Sequence, residues 1–365
     1  MFSYARPVAT WRRGAVVLFV NGALSLLVLM AAPPEPRLSD RAEYEYSGRH
    51  GLAANCPNSI YCYRILVPML LERMPGRPEQ RWRALQWLAH TATGTIVSIA
   101  IAPVGSPLLA AVMLQSSYGF AFTAYDPYTA DPVVFSIAAL VFYFWMVDRP
   151  LAAAALTAIG VFAKETVALV ALAPAIAVML SDRQTRWRWA AGAVIACVVL
   201  LSFHWYMDTY EGWGISRNPA ASFSTGSWLA LWWRNNPSLI RKALMVFSPF
   251  GWAWVFALLG FRGATPAIRQ LALGAVLPIC VLVYVQTPER ALANAFFVIV
   301  PLATVFLSRI SPAAAWAAAV TNSLVTARIG LSTEWLPSIA LLLIPASLCA
   351  VWAVRSSRRG LRISS

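Results

Sequence analysis

The stretch Arg12 to Met30, RRGAVVLFVNGALSLLVLM, decides the fold class. Two arginines are followed by a run, Ala15 to Met30, that holds no charged residue. With Arg6 ahead of it and Ala31-Ala32 behind, the segment has the outline of a secretory signal peptide. The run is longer than the roughly 7–15 residues of a signal h-region, so it reads as a retained first membrane span.

The same pattern recurs along the chain. Apolar runs fall near 14–32, 84–102, 107–124, 131–147, 150–163, 165–181, 188–206, 243–260, 267–285, 291–308, 312–330 and 336–354. Many are long enough to cross a hydrocarbon core of roughly 30 Å. The fifth and sixth are short and parted only at Lys164, as in a broken or re-entrant pair. The expectation is an all-α, polytopic transmembrane helix bundle of about 10–12 spans, forming a single domain over 1–365. Composition agrees: 59% of residues are hydrophobic and 12% charged, where a soluble domain carries about a quarter charged. Mean hydropathy is +0.62.

The net charge of +14 does not point to nucleic acid, because the basic residues sit mainly at span ends, where they set orientation. Arg6, Arg12 and Arg13 place the N-terminus inside, and twelve spans return the tail 355–365, with Arg355, Arg358, Arg359 and Arg362, to the same side. Arg149, Arg183, Arg186, Arg188, Arg262, Arg269 and Arg309 join them there. Of the fifteen Asp and Glu residues only Asp148 and Asp182 fall inside on this topology. Orientation requires inner arginines but not an outer surplus of acids, so that surplus marks the functional face. The expected location is a bacterial inner membrane, multi-pass, with both termini cytoplasmic.

Two outer loops are long, 33–83 and 207–242. The first carries Asp40, Glu43 and Glu45, then an amphipathic stretch from Tyr61 to Met74; its Ile60–Leu71 run, containing Arg64, is too short to span. The second carries Asp208, Glu211, Arg217 and the interfacial tryptophans Trp228, Trp232 and Trp233. Cys56 and Cys62 flank a polar pentapeptide in the first loop, and an oxidising compartment would favour a disulfide between them over two free thiols. Cys197, Cys280 and Cys349 lie in apolar spans and read as small hydrophobes.

No GxxxxGK[ST], HExxH or GxSxG motif is present, and His50, His90 and His204 lack metal-ligand spacing. What remains is a set of ionisable groups at the outer ends of apolar runs. Asp126 and Asp131 bracket Pro127-Tyr-Thr-Ala130, Lys164-Glu165 interrupts an apolar stretch, and Glu289-Arg290 follows Thr287-Pro288. Charges at membrane depth are costly and tend to be paired or functional. One carboxylate can serve as general base toward a hydroxyl, a second can orient it or hold a divalent cation such as Mg or Mn, and Arg or Lys can receive a phosphate leaving group.

In this order the features resemble the GT-C superfamily, membrane glycosyltransferases that use polyprenyl-phosphate-linked sugars. Asp40-Arg-Ala-Glu43-Tyr44 with Gly48 and Gly51, then Tyr63-Arg-Ile-Leu-Val-Pro68, is similar to that family's first outer loop. Tyr125-Asp-Pro-Tyr-Thr-Ala-Asp-Pro132 matches its second acidic loop, and Ile159-Gly-Val-Phe-Ala-Lys-Glu-Thr166 its lysine segment. Glu289-Arg290 resembles the late basic position that meets the donor phosphate. The resemblance implies Asp40 or Glu43 as catalytic base, Asp126 or Asp131 supporting the acceptor or a metal, and Lys164 and Arg290 on the donor phosphate. It further implies transfer with inversion from a polyprenyl-phosphate sugar donor to a lipid, glycan or protein acceptor among membrane lipids. No large C-terminal soluble domain of the kind some members carry is present. A multi-span transporter or lipid flippase, an O-antigen-type polymerase or ligase and a non-catalytic assembly factor are the competing readings.

Overall fold

A computed structural model describes residues 11–33, 36, 40–53, 63–180, 184–211, 238–282, 288–331 and 337–363. Every regular element among them is helical. Cys56, Cys62, Arg217 and the tryptophans of the second long loop lie outside the described residues.

The helices are α1 (Trp11–Ala31), α2 (Arg41–His50), α3 (Leu66–Glu72), α4 (Pro78–Ile101), α5 (Pro107–Gln115), α6 (Tyr118–Tyr125), α7 (Asp131–Met146), α8 (Pro150–Gly160) and α9 (Thr166–Met179). There follow α10 (Arg186–Tyr210), α11 (Leu239–Phe247), α12 (Ala253–Phe261), α13 (Pro266–Leu282), α14 (Pro288–Leu292), α15 (Phe296–Leu307), α16 (Pro312–Gly330) and α17 (Pro337–Ile363). Four helical stretches are long and apolar enough to cross a bilayer: Arg12–Ala31, Pro78–Ile101, Arg186–Tyr210 and Glu289–Leu307. Around them the bundle turns apolar side chains outward. Phe19 on α1 is 77% exposed and Leu341 on α17 is 74% exposed, as lipid-facing positions require. This is a membrane protein by length, composition and surface.

Four of the expected spans are short or broken. α8 and α9 are 11 and 14 residues long, below the about 20 needed to span, because the chain turns at 161–165 to present Lys164. The run 107–124 breaks at Ser116-Ser117, and the run 243–260 breaks at 248–252, where Gly251 takes φ +54°. Breaks free backbone groups that hydrocarbon cannot satisfy. α16 supplies the partners. Thr326 Oγ1 donates to the Ser116 carbonyl at 2.9 Å. Asn322 accepts from the Trp252 amide at 2.7 Å and donates to the Phe250 carbonyl at 3.1 Å. Within the described part of the amphipathic stretch, 63–74, the α-helix is α3 alone, and Arg64 lies ahead of it, bonded to Glu165.

Helix packing relies on small residues, as expected where lipid is as apolar as leucine. A Cβ at Gly260 would lie 1.9 Å from the Leu302 carbonyl oxygen, and one at Gly274 would lie 2.2 Å from that of Ala173. These approaches seat α12 on α15 and α13 on α9. Within α4, Gly94 leaves room for a buried amide pair, Gln115 Nε2 to Asn21 Oδ1 at 3.0 Å.

The connections sort to two ends. At one, the Ser106 amide donates to Ser308 Oγ at 2.8 Å, Arg309 donates to the Gly263 carbonyl, and Asp148 accepts from Thr185 at 2.8 Å and Trp189 at 3.1 Å. Trp145 Nε1 donates to the Ala267 carbonyl at 2.8 Å. These join the loops that the charge count assigns to one side. At the opposite end Asp40, the 125–132 loop, the 161–165 turn and Arg290 meet.

Replacing Asn322 by Leu removes the partners of two backbone groups at the Gly251 break. Each orphaned group costs about 1–3 kcal/mol, so N322L should lower the unfolding midpoint in detergent clearly. Gly14→Ala, with nothing within 4 Å of the added carbon, should leave it unchanged.

Candidate active site

Five segments converge at that opposite end. The Tyr125–Pro132 loop has two prolines and so enters α7 abruptly, with Asp131 in its first helical turn, the favoured place for an anion. Asp131 has no solvent exposure. Its Oδ1 accepts from Lys164 Nζ, and its Oδ2 accepts from Arg290 Nε and, at 3.0 Å, from Thr129 Oγ1. Arg290 Nη2 also donates to Thr129 Oγ1, and its guanidinium lies 5.2 Å from the centre of the Phe122 ring. The α8–α9 turn thus delivers Lys164, and the short α14 delivers Arg290, to one carboxylate.

α2 brings Asp40 to the same place. It flanks the helix start, is 6% exposed, and its Oδ2 lies 3.7 Å from Arg290 Nη1 with no hydrogen-bond partner. Glu43, the other candidate in that loop, is half-buried and makes no ion pair among the described residues. Glu45 is held by its own helix, accepting from Arg41 at 2.8 Å and Arg49 at 3.2 Å. Asp126 is fully buried at the end of α6, its amide closing that helix on the Phe122 carbonyl at 2.8 Å.

A second ion pair adjoins the first. Arg64 donates to Glu165 through Nε at 3.0 Å and Nη2 at 2.6 Å, a bidentate fork, and through Nη1 to Tyr44 Oη at 3.5 Å. Burial alone would draw the Arg64 guanidinium down, but Glu165 and Tyr44 outweigh it and hold the charge well above its ordinary range. Burial pushes the Tyr44 hydroxyl up, with Arg64 opposing. Burial draws the Lys164 ammonium down, against Asp131 and with the help of Arg290 and Arg64. Over these charges lies an aromatic roof: Tyr44 and Trp82 centroids are 5.4 Å apart, and Trp82 and Tyr128 likewise. Tyr63 donates to Asp208 and stacks on His204 at 4.2 Å, pinning the first loop to the end of α10.

The structure therefore unites Asp40, Asp131, Lys164 and Arg290, keeps Asp126 buried in the same loop as Asp131, and leaves Glu43 out of the ion pairs. Sequence reasoning missed Arg64 with its partner Glu165, together with Tyr44 and Thr129. The available signal was Arg64 inside an apolar run, the counterpart of Lys164 inside another. A divalent cation fits poorly here. Among the described residues no three His, Cys, Asp or Glu side chains come together, and both oxygens of Asp131 already receive cationic side chains.

Fold and site together define an all-helical membrane protein with a buried charge cluster at one end of its bundle. No protein-family model, characterised protein or solved structure matches the chain.

Removing Glu165 strands the Arg64 charge, whose side chain is 8% exposed, at a cost of about 3–5 kcal/mol; removing Arg64 leaves Glu165 at 26% exposure and costs less, and replacing both by apolar side chains is far milder. Glu165→Met should lower the thermal midpoint markedly, and Arg64→Met by less. The double variant should recover most of the loss, measured by fluorescence-detected unfolding in detergent.

Proposed function

We propose that the protein is a GT-C-type membrane glycosyltransferase of a bacterial inner membrane. On this reading both termini are cytoplasmic, and a sugar passes from a polyprenyl-phosphate donor to a lipid, glycan or protein acceptor at the extracytoplasmic end of the bundle. The observation that carries it is Asp40, a carboxylate oxygen without a hydrogen bond, 3.7 Å from Arg290. A base must be near its reacting proton and uncommitted, and a phosphate leaving group needs cations with donors to spare.

The parts then divide as follows. Asp40 takes the proton of the acceptor hydroxyl as that oxygen attacks the anomeric carbon. The bond from that carbon to the donor phosphate oxygen breaks, and the electron pair leaves with the phosphate. Arg290 holds its Nη1 toward Asp40 while Nε and Nη2 are bound, and Lys164 gives Asp131 only one of three protons. Both cations can meet the phosphate without leaving Asp131, whose part is to fix them in place. Direct attack inverts the anomeric centre. The roof of Tyr44, Trp82 and Tyr128 excludes water from the departing group.

Transport, the reading from another class, draws on the broken helices, since discontinuous spans form substrate sites in transporters. Here the backbone groups of the Gly251 break are bonded by Asn322 and so are not left to a substrate, and this favours transfer.

Membranes supplied with radiolabelled polyprenyl-phosphate sugars should pass label to an acceptor. Asp40→Asn should cut transfer about 100-fold or more at normal expression, and Arg290→Gln should raise the donor requirement steeply. Glu43→Gln should stay near wild type. Transfer indifferent to Asp40→Asn and Arg290→Gln would sink the assignment and make substrate flux the next measurement. Orientation is read separately: in a background lacking the five native cysteines, cysteine at Gly76 should react with an impermeant maleimide outside spheroplasts, and cysteine at Ser106 should not.

A further inference from the structure

The end of the bundle away from the charge cluster carries a feature that glycosyl transfer does not use. α12 and α17 leave between them a groove of about 250 Å3, walled by Trp252, Val255 and Phe256 on one side and by Val351, Val354 and Arg355 on the other. The walls are apolar apart from Arg355 and the indole N–H of Trp252, which is buried and makes no hydrogen bond. Val351 is 47% exposed, so the groove opens on the bundle's outer surface, where lipid tails would lie.

Its position follows from its neighbours. Trp252 is bonded to Asn322 halfway along α16, and α12 runs from there to the end where Arg309 meets Gly263. α17 starts at the opposite end, so Arg355, eighteen residues in, lies about 27 Å along it. The groove thus reaches from mid-depth to the edge of the apolar zone, with its cation at the edge.

The helix continues through arginine at positions 358, 359 and 362. α17 contains no Asp or Glu, and Arg355 forms no ion pair among the described residues. A cation at the edge of an apolar groove, on a helix without acids, complements an anionic headgroup, and basic pockets between spans hold such headgroups. A zwitterionic lipid would bring its own cation and fit less well.

We propose that this groove binds an anionic phospholipid, with one acyl chain lying between α12 and α17 and the headgroup phosphate held by Arg355. The site is independent of the transfer reading, since none of its residues belongs to the charge cluster.

The test uses the full chain, purified in mild detergent and titrated with phosphatidylglycerol or phosphatidylcholine under native mass spectrometry. Wild type should bind phosphatidylglycerol at least tenfold more tightly than phosphatidylcholine. Arg355→Gln, at an exposed position, should abolish that preference, and Val351→Trp, which fills the groove, should weaken both lipids. Inorganic phosphate alone should not displace the lipid. Equal affinity for the two lipids in wild type, or an Arg355→Gln protein that keeps the preference, would overturn the proposal. Should Val351→Trp unfold, Arg355→Gln decides alone.

Discussion

A single carboxylate, Asp131, carries the architecture of the charged end of the bundle. It is wholly buried and joins the entry of α7, the α8–α9 turn and the short α14, which lie far apart in sequence. An isolated buried carboxylate is strongly unfavourable, and two cations gathered without an anion would be as bad. Neither the short α8 and α9 nor the irregular passage into α15 has an evident reason except to bring Lys164 and Arg290 to this point. Taken with Asp131, the two cations leave one unit of positive charge, and Asp40 lies at 3.7 Å from its source. The cluster is poised rather than closed: balanced enough to be buried, with donors left for an anion.

Burial also sets the strength of these interactions. The Tyr44–Trp82–Tyr128 roof and the Arg64–Glu165 fork cover the charges, and in such surroundings each hydrogen bond counts for more than in water. The same cover explains why the described part of the 33–83 loop packs onto the bundle at all. Its short apolar helix α3 contributes Val67 and Leu71 to the small core that also holds Tyr44, Trp82 and Ala163. The loop is thereby a packed layer of the bundle at this end.

Much of this was legible in the sequence. The apolar runs gave most helices to within a few residues, because hydrocarbon imposes length and composition together. The charge count put the loops at 103–106, 148–149, 261–265 and 309–311 on one side, and among the described residues these lie at one end, away from Asp131, Lys164 and Arg290. Asp40, Asp131, Lys164 and Arg290 stood out because a charge at the end of an apolar run is costly unless something uses it. The partners did not stand out. That Arg64 answers Glu165, 101 residues away, depends on tertiary packing, and the pattern of either segment alone is silent about it. The breaks at Ser116 and Gly251 were hidden for a related reason. A run with no charge reads as one span, and the polar residues that make a break tolerable lie on α16.

That last arrangement has a consequence for how the chain is made. The Ser116 carbonyl waits for Thr326, 210 residues downstream, and the Trp252 amide waits for Asn322, 70 residues downstream. At translation rates of roughly 5–20 residues per second the first of these intervals is on the order of 10–40 s. Throughout it, α5 and α6 hold a gap that hydrocarbon cannot satisfy. Until α16 emerges, the two half-helices must stay beside water or within the insertion machinery, so α16 serves as the closing timber of the bundle, and the interior becomes dry only when it arrives.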